Sequence, residues 1–445
     1  METITVVGGG LAGSEAAFRL AEAGHPVVLR EMRPVRGTPA HHTDLLGEIV
    51  CSNSFKSEDP LVAHGLLKTE MRALGSLLLR VAADARIPGG SALTVDRREF
   101  AEGMDAAVRG HPGIRIERED VTAIPDGPAI IATGPLTSDA LSAAISAALG
   151  DEGLAFFDAI APVVSAESLD RSRIFAASRY GKGEGDDYLN CPLSAAEYHA
   201  FVAALGEGEA YEGHDWEAVP YFEGCLPVEV MAERGPETLR FGPMKPVGLP
   251  VPWLDGRQAH AVVQLRREDR AGQMWNLVGF QTRLKIGEQA RIFRMIPGLG
   301  DAEFLRWGSI HRNTYLNFPG RLSAHGALPG RPEVIFAGQL TGVEGYTDSA
   351  ATGLLAAVNL ERVLRGDIPI LPPTTTMLGG LMRYLREADP AHFQPMNANW
   401  GVVDPLPRRV RDKQKKRALL AERAQRDFAT WLAEHALDAT PVAAG

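Results

Sequence analysis

Cysteine is scarce in this chain: 445 residues hold three, Cys51, Cys191 and Cys225, with no Cys-x-x-Cys pair and no zinc-type spacing. That argues against a disulfide framework, a structural metal and a dithiol redox centre. Long apolar runs are missing too, since no stretch of eighteen apolar residues occurs, and a membrane-spanning helix needs about that length. The strand-like "TITVVGGG" starts at Thr3, leaving no room before it for a charged leader and an apolar signal segment. The expected location is the cytoplasm.

Positive charge is in deficit, with 46 Lys and Arg against 56 Asp and Glu, a net of −10. This excludes indiscriminate nucleic-acid binding, but screening confines each charge to about 10 Å at ordinary salt, so its distribution matters more than the sum. From Arg408 to Arg426 nine Lys/Arg face only Asp412 and Glu422, a local +7 that leaves −17 for the rest of the chain. A basic C-terminal segment is attached to an acidic body. That segment reads as a solvated helix face or as a phosphate-contacting surface.

What is present is a nucleotide-binding pattern. In "TITVVGGGLAGSEAAFRLAEAGHPVVLREM" a strand (Thr3 to Val7), a glycine turn, a helix (about Ala12 to Ala23) and a second strand (Pro26 to Glu31) follow one another. This is the dinucleotide fingerprint in the context it requires. Gly8 makes the tight turn, Gly10 admits a pyrophosphate to the backbone, and Gly13 lets helix and strand approach. Gly9, Leu11 and Ala12 complete the loop and the helix start, where the positive end of the helix receives the phosphates. Glu31, 23 residues after Gly8, is placed to accept ribose hydroxyls.

Two later segments favour FAD over NAD. "PAIIATGP" (128–135) is a short apolar strand ending in Ala-Thr-Gly, and "EVIFAGQLTGVEGYTDSAATGLLAAVNLERVL" (333–364) is a strand, a glycine-rich turn and a long helix. They resemble the later nucleotide-contacting motifs of glutathione-reductase-like flavoproteins, in which a late Ala-Gly-Asp segment holds the ribitol. Here Gln339 follows Gly338 where that pattern has Asp. A helix starting near Thr347, after Gly345 and Tyr346, would turn its positive end toward the flavin pyrimidine.

Between these motifs the pattern changes. "YGKGEGDD" (180–187) reads as a linker, "SAAEYHAFVAAL" as a helix capped by Ser194, and "HAVVQL" (260–265) as a strand. The expected fold class is α/β, a Rossmann-like FAD-binding domain of the glutathione-reductase-like type with an inserted smaller α/β domain. The expected limits are 1–184 and 275–372 for the FAD domain, 185–274 for the insertion, 373–435 for a C-terminal helical segment and 436–445 for a disordered tail. In the C-terminal segment Leu420, Ala424, Phe428, Trp431, Leu432 and His435 fall on one helix face.

The cysteine contexts differ. Cys51 lies in the polar "GEIVCSNSFKSE" near Lys56, Cys225 follows a glycine in "YFEGCLPVE", and Cys191 sits in "LNCPLS". A thiolate nucleophile needs nearby positive charge or a helix N-terminus. The adjacent His41 and His42 point to different sides and support no metal site.

The segments "GGGLAGSEAA", "GEIVCSNSFKS", "YFEGCLPVEVMAERG", "LVGFQTRLKIGEQ", "GSIHRNTYLN" and "AGQLTGVEGY" together resemble the bacterial folate- and FAD-dependent tRNA uracil-5-methyltransferases, in order along the chain. The resemblance implies formation of 5-methyluridine (ribothymidine) in the tRNA T-loop. Methylenetetrahydrofolate is then the carbon donor, reduced FAD the methylene carrier and reductant, and NADH or NADPH the source of electrons. It implies that Cys51 lies against the flavin with Cys225 at the substrate side, and it leaves open which thiolate adds to uracil C6. It assigns His311 to stacking on the folate pterin, for which a buried hydrogen-bonded histidine is the alternative. Arg283 and Lys285 are candidates for folate carboxylate or tRNA phosphate, or else for an ordinary helix surface. Rival readings are the related flavoproteins that modify wobble uridine, which are expected to be much longer, and a catalytically silent FAD- and tRNA-binding protein.

Overall fold

The computed structural model describes residues 2–38, 40–150, 154–183, 187–211, 226–269, 271–390 and 393–437, with the backbone alone in 154–160 and 309–314. Two six-stranded sheets organise it. In the first, five parallel strands run Arg331–Phe336, Ala129–Ile131, Ile4–Val7, Val27–Glu31 and Ile114–Arg118 from one side to the other, and Ala327–Leu328 adds an antiparallel edge. Placing Ile4–Val7 in the middle, with the order reversing on either side, is the doubly wound arrangement whose ligands bind beyond the carboxyl ends of the strands.

Glycine fixes the geometry of the first turn. A side chain at Gly8 (φ +102°) would run into Ala132 O at 2.6 Å, and one at Gly13 would sit 1.8 Å from Gly8 O. The helix Leu11–Glu22 can therefore lie directly on the strand only with glycine at both places. The same helix packs against the long helix Tyr346–Arg365, where a side chain at Gly353 would meet Ala12 O at 2.2 Å. The two helix N-termini are thus drawn to the same end of the sheet.

The second sheet is antiparallel and is built from Phe175–Ala176, Tyr188–Leu193, Ala261–Arg267, Met274–Leu277, Val163–Ser165 and Phe304–Arg306, in that order. It has its own apolar core, in which helix Ala195–Glu207 packs Tyr198, Phe201 and Leu205. Ser194 caps that helix in a reciprocal capping box with Glu197. The expected limits of 185–274 take in the two longest strands, and the sheet itself reaches beyond them on both sides, from Val163 to Arg306. An antiparallel two-strand ladder, Leu154–Ile160 with Ser309–Tyr315, joins the two halves.

Cys191 lies in the middle of this second core. It is fully buried in Tyr188–Leu193, and burial pushes its thiol up to about 12. Thiolate chemistry is therefore closed to it. In the native protein at pH 8, iodoacetamide should leave Cys191 unmodified while denatured chain reacts fully, as read by peptide mass spectrometry.

After the long helix the chain folds back. Helix Met377–Glu387 starts against helix Ala63–Ala73, whose buried Glu70 accepts the backbone N–H groups of Met377 and Leu378, both at 2.8 Å. Burial raises the Glu70 carboxyl to about 8 despite those two bonds. The last helix, Lys413–Glu434, buries Leu420, Ala424, Phe428, Trp431 and Leu432, while His435 is half-buried at its end. Of the expected tail, Leu437 is buried and 438–445 lie outside the described residues. Among the described residues no helix is long and apolar enough to cross a membrane.

Candidate active site

The carboxyl ends of the parallel strands carry a cradle. Gly9 donates its N–H to Glu31 Oε2 (2.7 Å), and Glu31 Oε1 accepts from Arg33 N and Nε, both at 2.9 Å. Burial opposes the charge on Glu31, but the Arg33 guanidinium and these donors outweigh it and hold the carboxyl below its ordinary value. Glu31 therefore remains a carboxylate at the strand end and also braces the glycine turn. A cleft beside it is lined by Gly8, Glu31, Val121, Thr133 and Thr137.

Gly10 is unlike its neighbours. A side chain there would meet no protein atom within 4 Å, while Gly9 and Gly13 are closely packed. As N-cap of Leu11–Glu22 it offers no side-chain hydrogen bond to the helix, so the first N–H groups of that helix face open space beside buried Leu11 and Ala12. An uncapped helix start behind a glycine with room in front is the geometry a pyrophosphate requires.

The second helix also starts behind a glycine, but one closed in by a carboxylate, since a side chain at Gly345 would meet Asp348 Oδ2 at 2.6 Å. Gly345 (φ +122°) caps Tyr346–Arg365 without a side-chain bond, and buried Thr347 bonds its neighbour Asp348 through Oγ1 (3.3 Å). Gly338 N–H is held by Thr352 Oγ1 (2.9 Å), and Gln339 Nε2 donates to Glu344 (2.8 Å). Gln339 is thereby turned toward a carboxylate of its own turn.

The cysteine loop hangs between these two helix starts. At one end Gly47 N–H donates to Gly9 O (2.8 Å). At the other, the Tyr346 hydroxyl oxygen receives the backbone N–H groups of Val50 (3.0 Å), Cys51 (2.8 Å) and Ser52 (3.1 Å), and Cys51 Sγ lies 2.9 Å from it. A phenol has two lone pairs and one proton. Three amides saturate the lone pairs, so the O–H is the donor toward Cys51 Sγ. Burial, then the neighbouring thiol, raises the phenol well above its ordinary range, so it keeps that proton.

Positive charge reaches Cys51 from the other side. Arg97 donates to Ile49 O (2.9 Å) and Val50 O (3.1 Å) and is paired with buried Glu268. Arg266 donates to Ser52 Oγ (2.8 Å) and Asn53 Oδ1 (2.9 Å), and Asn53 Nδ2 donates back to Arg267 O (2.8 Å). Arg306 acts on Cys51 and Tyr346 as well, and its Nε and Nη2 are buried without hydrogen-bond partners among the described residues. Burial, reinforced by Arg97, lowers Arg306 to about 10, still a cation at neutral pH. Lys56, the expected helper, is exposed, and the cations acting on Cys51 include these three arginines. The only local hint was the charged run "QLRRED" at a strand end.

The remaining sequence candidates lie elsewhere or outside view. Cys225 is outside the described residues. His311 lies on Ser309–Tyr315, opposite Asp158 in the ladder, on a strand that passes the turns 134–136 and 338–341. Arg283 is near Glu229 (3.8 Å) and Glu233 (3.5 Å), and Lys285 Nζ donates to Glu209 (2.8 Å), so both are engaged with acids of the second sheet's domain.

Replacing Tyr346 by phenylalanine isolates the loop's anchor. Three half-buried amides lose their acceptor, at about 1–3 kcal/mol for each one that water does not reach, and Cys51 loses an O–H donor. The expected result is a lowered thermal midpoint and slower alkylation of Cys51 at neutral pH, followed by mass spectrometry against unchanged Cys191.

A Rossmann-like sheet with two glycine-led helix starts around one cysteine loop defines a dinucleotide-binding enzyme of the flavoprotein class. A sequence model of the family described as glucose inhibited division protein A matches residues 3–367. Curated relatives named methylenetetrahydrofolate–tRNA-(uracil-5-)-methyltransferase TrmFO include one from Geobacter sulfurreducens, 54% identical over 431 residues, covering 97% of this chain and 99% of that protein. Another, from Moorella thermoacetica, is 55% identical over 426 residues, covering 95% and 97%. The chain belongs to the methylenetetrahydrofolate–tRNA-(uracil-5-)-methyltransferase family. A solved structure of Aquifex aeolicus GidA superposes with a TM-score of 0.65 over 98% of this chain and 75% of that one at 14% identity, a likeness of fold alone.

Proposed function

We propose that this protein methylates uracil C5 in tRNA, forming 5-methyluridine in the T-loop, with methylenetetrahydrofolate as carbon donor, FAD as bound cofactor and NADH or NADPH as reductant. The observation that carries the reading is the cysteine loop strung between two helix N-termini, in a chain about 54% identical to a methyltransferase of that name.

FAD fits the cradle. Gly8, Gly9, Gly10, Leu11, Ala12 and Gly13 hold the pyrophosphate, the free space in front of Gly10 being the fit that matters. Glu31 takes the ribose, and Gly338, Gln339, Gly345, Tyr346 and Thr347 take the far end. When bound, the flavin supplies electron transfer and carries the one-carbon unit.

The chain's own residues prepare the other partner. Uracil C5 is a weak nucleophile until a thiolate adds at C6. Cys51 lies beside the Tyr346 hydroxyl and within the reach of three arginine charges, and serves either as that nucleophile or as guard of the carbon beside the cofactor. Cys225 is the partner thiol. In this reading His311 stacks on the pterin, and Arg283 and Lys285 meet folate carboxylate or tRNA phosphate once released from their acids. Arg408, Arg409, Arg411, Lys413, Lys415, Lys416 and Arg417 are all exposed, a basic face that suits a phosphate backbone.

The test is purified protein with tRNA transcript, NAD(P)H and methylenetetrahydrofolate labelled in the methylene carbon. Label recovered in ribothymidine is the expected result. No label in tRNA despite bound FAD and full folate supply would overturn the reading and leave a silent FAD- and tRNA-binding protein.

A further inference from the structure

We propose that the second sheet's domain carries a binding site for a divalent transition metal of the zinc class, formed by His199, Glu237 and His260. The site is independent of the methyl-transfer reading. His199 lies on helix Ala195–Glu207, Glu237 is the residue before the short helix Thr238–Phe241, and His260 precedes strand Ala261–Arg267. One ligand atom from each falls within 4.8 Å of the other two, and His199 Nε2 lies 3.9 Å from Glu237 Oε1. Among the described residues this is the one such cluster.

Tetrahedral zinc with bonds of about 2.0–2.1 Å places its ligand atoms roughly 3.3 Å apart. Closing the remaining gap takes side-chain rotation of about 1 Å. His199 can move, its side chain being 53% exposed, while Glu237, 41% exposed, is held through Oε2 by Arg240 and keeps Oε1 toward His199. The third is already set: His260 Nε2 is buried and has no hydrogen-bond partner among the described residues. A buried ring nitrogen without a partner is costly in an ordinary surface cluster, and a metal ion is a partner it can take in its neutral form.

The surroundings hold the ligands as metal sites require. Arg240 pairs with Glu237 Oε2 and through Nε donates to His260 O (2.8 Å), so one cation fixes two of the three residues and leaves Glu237 Oε1 for the ion. Tyr198 donates to Pro236 O (2.8 Å), and its ring lies edge-on to His260 at 5.2 Å. Two imidazoles and one carboxylate suit zinc, cobalt or nickel. Magnesium and calcium prefer all-oxygen sites. Three protein ligands leave a position for water, and the Arg240 charge makes the site weaker than a closed four-ligand zinc centre. When filled it clips the helix carrying His199 to the strand after His260.

Full-length holoprotein, stripped with chelator and desalted, is titrated calorimetrically with zinc chloride alone, and in parallel with cobalt chloride followed by visible absorption. The expected result is one equivalent bound per chain, cobalt bands without thiolate charge transfer, and at least tenfold weaker binding in His199→Ala and Glu237→Gln. Saturating zinc should raise the thermal midpoint by a few degrees in wild type and not in His199→Ala. His199 is exposed, so that variant keeps its fold, which circular dichroism checks. No zinc bound, binding unchanged in His199→Ala, or thiolate bands showing the metal on cysteine would each overturn the proposal.

Discussion

Cys51→Ala should lower methyl transfer to tRNA by at least a hundredfold while leaving the fold and the cofactor in place. The two effects separate because the loop is held by its backbone. Tyr346 receives the N–H groups of Val50, Cys51 and Ser52, and Arg97 binds the carbonyls of Ile49 and Val50, none of which involves the thiol. Deleting one half-buried sulfur therefore changes stability little. It removes the group toward which a phenol O–H and three guanidinium charges converge, and a positioned reactive side chain contributes about 10²–10⁴ in rate. Incorporation of labelled methylene into tRNA measures the loss, and the flavin absorption spectrum and thermal midpoint serve as controls. Activity within threefold of wild type would remove Cys51 from the reaction.

Glu268→Gln should be strongly destabilising, at about 3–5 kcal/mol, the cost of removing one partner from a buried ion pair. Glu268 is buried among Arg97, Arg266 and Arg306. Burial disfavours its charge, yet the Arg97 pair and the other guanidiniums hold the carboxyl below its ordinary value. Glutamine keeps the shape and strands the cations. The change reaches the active site because Arg97 also holds the carbonyls of the cysteine loop. The pH dependence has a definite sign. A carboxyl depressed in the folded state stabilises fully above the ordinary value of 4.5 and loses that contribution as pH falls through its folded value. The gap in thermal midpoint between wild type and Glu268→Gln should therefore be largest near neutrality and shrink in acid. A constant gap down to pH 3 would show that the loss is one of shape and not of charge.

Local chemistry made part of this protein legible in its sequence. The glycine turn, the Ala-Thr-Gly strand end, the long helix after Gly345 and the apolar face from Leu420 to Leu432 depend on neighbours within a few positions, and periodicity and turn rules reach that far. The electrostatics of Cys51 do not. Sequence proximity pointed to Lys56, whereas Arg97, Arg266 and Arg306 arrive from distant elements, two of them on the second sheet. Tyr346 read as a cofactor contact because of its place after Gly345, and its hydroxyl anchors the cysteine loop by a bond that no local pattern announces. The extent of the second sheet was hidden for the same reason: Val163–Ser165 and Phe304–Arg306 are three-residue strands whose pairing is long-range.

Glu70 makes the C-terminal segment part of the nucleotide-binding body. The family match ends at residue 367, and helix Met377–Glu387 lies beyond it. Cutting the chain at that boundary would leave a fully buried carboxyl with neither of the amides it now accepts. A truncated protein would strand the Glu70 carboxyl, which burial already raises to about 8, without either amide, or would let water into the packing of helix Ala63–Ala73. A stable version of this enzyme accordingly extends past the family boundary, and because Phe393, Leu420, Phe428 and Trp431 pack into the same core, a truncation series mapped by proteolysis should already lose the fold when the last helix is removed.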